Sequence, residues 1–168
     1  MAGKRTRILL SLAGIAVVGA AALFYLTLPA PLPEAHWAGL GEPDMANGER
    51  VFWAGGCVSC HAAPGSEGDA KKVLAGGLAL KSPFGTFHVP NISPDPKAGI
   101  GGWTLAQFGN AMTRGVGPGG EHLYPSFPYN SYARMTPKDV NDLFGFLKTL
   151  PASANVAPHD PPTTSHRA

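Results

Sequence analysis

Cys57-Val58-Ser59-Cys60-His61 gathers both cysteines of a 168-residue chain, and one of its six histidines, into five positions. A disulfide between two cysteines three apart would close a very short loop and stabilise little. One pair also cannot staple a chain of this length. The pair therefore stands there for chemistry. Two thiols three positions apart on the end of a helix can each add to one vinyl group of a single haem. An imidazole on the next residue then lies under the iron as its proximal ligand, and C-x-x-C-H is the attachment signal for haem c. Zinc would need four ligands, usually from a second paired set. There is no second C-x-x-C, and His36, His88, His122, His159 and His166 form no H-x₃₋₅-H pair. A thioredoxin-like dithiol would need alternating strands and helices around it, which the pattern does not give. The expected cofactor is one covalent haem c, tethered by Cys57 and Cys60 and ligated by His61.

An electron-carrying haem iron usually takes a sixth ligand, and Met is the partner that raises the potential. Met1 lies before the apolar N-terminal run and Met45 beside the motif on the first helix. That leaves Met135, at the end of a loop, and Met112, inside a helix. A loop Met can fold over the open haem face more easily, so Met135 is the favoured distal ligand. Met112 is the alternative, with core packing as its ordinary use. His88 or His122 would instead give a bis-His iron of lower potential.

The elements that must position these groups are short. Gly (22) and Pro (17) together make nearly a quarter of the chain, which suits short helices joined by long, sharply turning loops. A first helix is expected over residues 45–54, capped by Asp44 and ended by Gly55-Gly56. A second is expected over residues 105–114, between Thr104 and Gly115. A third runs over residues 137–150, with Thr136 as N-cap, Pro137 at the first position and Asp139 complementing the helix dipole. Leu143, Phe144, Phe146, Leu147 and Leu150 give this last helix a broad apolar face. Residues 62–100 read as loop and short turns without a sheet, and residues 152–168 as a disordered tail. Three such helices enclose little core by themselves; a haem would supply the missing apolar body.

Residues 8–28 carry no charge, and Lys4, Arg5 and Arg7 precede them. As a helix the run spans about 31 Å, the thickness of the bilayer hydrocarbon, and its basic flank stays cytoplasmic. The run exceeds a signal-peptide core of about 7–15 residues, so a retained anchor is favoured over a cleaved signal. Residues 29–43 read as a Pro-rich, extended spacer, and residues 44–151 as the haem domain. Without the three N-terminal cations, ten basic residues face eleven acidic ones. No basic stripe supports nucleic-acid binding. The destination is the bacterial inner membrane, single pass, with the haem domain in the periplasm, or the soluble periplasm if the segment is cleaved.

Several stretches resemble one family. They are Asn47-Gly48-Glu49-Arg50-Val51-Phe52, the Cys57–His61 motif, Gly85-Thr86-Phe87, and Val89-Pro90-Asn91-Ile92-Ser93-Pro94-Asp95. Gly99-Ile100-Gly101-Gly102-Trp103-Thr104, Leu123-Tyr124-Pro125, Phe127-Pro128-Tyr129 and Met135-Thr136 follow. The chain resembles class I c-type cytochromes, and more narrowly the cytochrome c subunits of periplasmic membrane-bound dehydrogenases for alcohols, aldehydes and sugar acids. The resemblance implies an all-α, cytochrome c-like fold around a haem. It implies that the first and last helices cross near Gly48, with Phe52 against Leu143 or Phe146. It also implies that the Pro90-Asn91 segment lines the haem, that a nearby backbone carbonyl accepts the His61 Nδ1–H, and that Trp103 turns its indole toward a propionate. Some relatives carry Met where this chain has Phe127, which moves the expected ligand to Met135. Relatives often hold two or three haem modules; one motif here implies one haem.

The function expected from these residues is electron transfer between a dehydrogenase or quinol-linked donor and a terminal oxidase or another cytochrome. A haem sensor or small peroxidase would need an open sixth site, and no distal acid–base pair is visible. A subunit that merely anchors an enzyme is the third possibility.

Overall fold

The computed structural model describes residues 2–83, 85–124 and 126–158. His159 and His166 lie outside them. The chain divides into two units, residues 1–30 and 31–168.

The first unit is helix α1 (Ala2–Leu26), with a mean hydropathy of 2.3 over its most apolar stretch. Its apolar residues point in every direction, Leu9, Ile15, Val18 and Phe24 all being exposed. A helix that is apolar all round has no single face to bury against a soluble core. It is long and apolar enough to cross a membrane.

The second unit holds α2 (Met45–Ala54), α3 (Cys57–His61), β1 (Ala79–Ser82), β2 (Gly85–His88), α4 (Leu105–Arg114), α5 (Tyr129–Tyr132) and α6 (Pro137–Thr149). The three expected helices lie where the capping residues put them. The Asp44 side chain accepts the Asn47 N–H at the start of α2. Thr104 and Gln107 form a capping box on α4. Thr136 accepts the Asp139 N–H ahead of Pro137 on α6. Helices α2 and α6 pack on one another, and Gly48 is the point of closest approach. A Cβ there would fall 2.7 Å from the Phe146 Cβ and closer still to the Asp142 carbonyl. Phe52 is fully buried, with its ring 5.3 Å from that of Phe146; burying a Phe side chain is worth roughly 1.5–3 kcal/mol. Gly48→Ala should therefore force the crossing apart and cost about 1–3 kcal/mol, read as a lower denaturant midpoint with an unchanged slope.

A polar seam closes the same crossing. Asp142, 1 % exposed, accepts the Asp44 N–H and the Asn47 Nδ2–H and pairs with Lys138. Burial pushes its carboxyl up, but Lys138, the Asp44 amide and Asn47 together hold it below the ordinary value.

Three expectations yield to the structure. The segment read as sheet-free contains a two-stranded antiparallel hairpin, with Leu80 opposite Phe87 and Ser82 opposite Gly85. Four-residue strands are too short for alternation to show, and the pair is braced from outside by the Phe87 ring stacked 3.7 Å from that of Tyr124. The supposed spacer is partly core: a 3₁₀ turn over Glu34–Trp37 buries Trp37 to 5 % exposure against Gly109. The Leu32 N–H donates to the Asn110 Oδ1, and the Leu32 carbonyl accepts from the Asn110 Nδ2. The supposed tail is fixed at Ser153 and Asn155, which bond to the loop around Asn91.

Candidate functional site

The Cys57–His61 motif is itself a short helix, and the chain before it explains why. The Gly55 N–H closes α2 on the Val51 carbonyl. Gly56 then takes φ +69, a left-handed turn that a side chain would strain, and α3 starts at once. The Ser59 hydroxyl donates to the Gly56 carbonyl and ties down the turn. On α3 Cys57 and His61 are partly buried and Cys60 is exposed. Burial, opposed by its backbone hydrogen bond and aided by the neighbouring Cys60, pushes the Cys57 thiol up to about 11. A dithiol redox catalyst needs a cysteine shifted the opposite way.

His61 Nδ1 lies 2.9 Å from the Pro90 carbonyl. A carbonyl can only accept, so Nδ1 carries the proton and Nε2 keeps its lone pair. Burial also pushes the imidazole below its usual value, against the opposing pull of Pro90. A neutral ring with a fixed tautomer and a free Nε2 is what an iron ligand must be.

Beside the motif lies a cavity of about 460 Å³, lined by Val51, Cys57, Met112, Tyr132, Met135 and Leu143 among others. Cofactor sites run to about 300–1,000 Å³. Both candidate methionines reach it. Met135 comes from the turn before α6, where its N–H donates to the Tyr132 carbonyl. Met112 comes from α4 and is 8 % exposed. The Tyr132 hydroxyl donates to the Gly55 carbonyl, linking α5 to the turn ahead of the motif. Phe127 stacks on Tyr132, with centroids 5.7 Å apart. Neither His88, on β2, nor His122, bridged to Val116, lines the cavity. Trp103 is partly buried against the core. Of the expected donors, Cys57, Met112 and Met135 line the cavity, while Cys60 and His61 are not among its lining residues; paired thiols, a neutral imidazole and a thioether are a donor set of the kind that holds a haem c.

Sequence reasoning missed the residues that hold the Pro90 loop. Asn91, Ser93, Ser153 and Asn155 look like ordinary loop residues in a chain rich in turns. For Asn91 and Ser93 the sequence signal was the Pro-Asn-Ile-Ser-Pro-Asp string; Ser153 and Asn155, some sixty positions later, had none.

The cytochrome c family profile matches residues 45–151. A diheme cytochrome c-type protein of Cereibacter sphaeroides is 53% identical over 150 residues, which is 89% of this chain and 50% of that protein. The cytochrome c subunit of a quinone alcohol dehydrogenase from Gluconacetobacter polyoxogenes is 41% identical, over 61% of this chain and 21% of its own length. The fructose dehydrogenase cytochrome subunit of Gluconobacter japonicus is 36% identical, over 72% and 23%. The chain thus spans half of the first of these relatives and under a quarter of the other two.

Proposed function

The chain belongs to the cytochrome c family, and from that premise we propose that it carries single electrons on one covalent haem c held by Cys57, Cys60, His61 and Met135. The observation that carries this is the His61 Nδ1–Pro90 hydrogen bond, together with Cys57 of the same motif lining a cavity that Met112 and Met135 also reach. The bound haem supplies a one-electron ferric/ferrous couple. The protein's own part is fourfold. Cys57 and Cys60 tether the group, and the Pro90 carbonyl sets the tautomer and plane of His61. Met135 would offer a thioether as the second iron ligand. Val51 and Leu143, with the Phe52–Phe146 core behind them, keep water from that wall.

The electron donor we propose is a membrane dehydrogenase for an alcohol or sugar-type substrate, because relatives are named as cytochrome subunits of such enzymes. The acceptor is a terminal oxidase or a further cytochrome. Helix α1 anchors the chain in the inner membrane with the haem domain in the periplasm, in keeping with Lys4, Arg5 and Arg7 at its start.

The test is a chain produced with haem c maturation. One haem per chain should survive denaturation, and the ferric form should be reduced when a quinone-linked alcohol dehydrogenase turns over in the same membranes. A chain that emerges from maturation without covalent haem ends the proposal.

A further inference from the structure

We infer that Asn91 is a positioning residue for His61, acting through the Pro90 carbonyl and held in turn by the segment that follows α6. The inference rests on the haem ligation proposed above. The Pro90 carbonyl lies in the same rigid peptide plane as the Asn91 amide, so whatever fixes Asn91 fixes the direction of that carbonyl.

The chain on either side is already pinned. The Gly77 N–H donates to the Val89 carbonyl, and the Ile92 N–H to the Leu74 carbonyl. Gly76, at φ +69, lies flat against the Pro90 peptide; a Cβ there would fall 2.6 Å from the Pro90 oxygen. What remains free is rotation of the plane between those two anchors, and the Asn91 side chain removes it. Asn91 is 6 % exposed, and its Oδ1 accepts the Ser93 N–H at 2.8 Å. Its Nδ2 donates to the Ser153 carbonyl at 2.6 Å and to the Asn155 carbonyl at 2.9 Å. Both amide hydrogens are used, so the side chain has one orientation.

The strap is itself fastened. The Ser153 N–H donates to the Ser93 hydroxyl at 2.9 Å, and the Asn155 Nδ2–H donates to the Ala75 carbonyl at 2.7 Å. Gly76, the next residue, donates its N–H to the His61 carbonyl at 2.8 Å. The hydrogen bonds therefore close a ring from His61 through Pro90, Asn91, Asn155 and Ala75–Gly76 back to His61. A well-held Nδ1–H makes the imidazole a stronger donor to iron, which favours the ferric state. Loosening the ring should raise the reduction potential.

The experiment uses the full haem-loaded chain with Asn91→Ala, Asn91→Asp and Asn155→Ala. Asn155 is exposed, so its variant keeps the test available if Asn91 variants fold poorly. Equilibrium redox titration should show about a threefold shift toward ferrous haem at fixed ambient potential, about 28 mV at 59 mV per tenfold for one electron. Proton exchange at His61 Nδ1, followed by NMR, should quicken in step. A strap that only stabilises the fold would lower the melting temperature and leave potential and exchange unmoved; that result overturns the positioning role. A wild-type chain lacking covalent haem would instead overturn the ligation on which the role rests.

Discussion

Met135→Ala should lower the reduction potential and let the ferrous protein bind carbon monoxide, whereas Met112→Ala should do neither. Both side chains reach the cavity beside Cys57, so proximity does not separate them; their backbones do. Met112 is part of α4, between the buried Ala111 and Thr113, and its position is set by the packing of that helix on α6. Met135 stands at a turn just outside α6, where the chain can adjust to a ligand without disturbing a packed face. A thioether ligand favours ferrous iron, and axial ligands together span roughly 0.8 V of haem potential. Losing one should therefore move the couple far more than the Asn91 variants do. Met112→Ala should show the signature of a truncated core residue, a loss of about 2–5 kcal/mol of stability, with the spectrum unchanged. Visible spectra with and without carbon monoxide, a redox titration and a thermal melt distinguish the two. The reverse pattern would assign the sixth position to Met112. Ready binding of carbon monoxide by the ferrous wild type would refute a six-coordinate carrier altogether.

The double variant Cys57→Ser, Cys60→Ser should release all haem on a denaturing gel and abolish dehydrogenase-driven reduction of the chain. The serine hydroxyls are close in size to the thiols but do not form the thioethers. The expected loss extends to the fold. Val51, Met112 and Leu143 face a cavity that the proposed haem would fill, and apolar walls without an occupant lose their contacts. The variant should melt earlier and expose more apolar surface. Cys60→Ser alone keeps one tether at Cys57 and should still hold haem through denaturation. If the double variant sustained full donor-dependent oxygen consumption in membranes, the chain would be an anchor and not a relay.

How much of this was legible in the sequence varied with how local the cause is. Cys57, Cys60 and His61 act as neighbours on five residues, so spacing alone pointed to their chemistry. Helices α2, α4 and α6 were placed by Asp44, Thr104 and Thr136, whose side chains bond amides three residues ahead. The crossing at Gly48 came from the family resemblance and is seen in the contact with Asp142 and Phe146. The β1–β2 hairpin was not legible, because four-residue strands carry almost no periodicity and this pair leans on Tyr124, some forty positions away. Trp37 was taken for part of a spacer because Pro31 and Pro33 dominate that stretch; its burial depends on Gly109, which leaves room for the ring.

The expected use of the motif, the helices around it and the apolar length of α1 were all readable locally, since each is written in residues within one or two turns of each other. The fold was needed to show which carbonyl holds His61, that both methionines reach one cavity, and that Ser153 and Asn155 fasten the loop bearing Pro90. The physical reason is range. A hydrogen bond from Asn91 to Ser153 spans 62 positions, and nothing in the local pattern of either residue records that the fold brings them together.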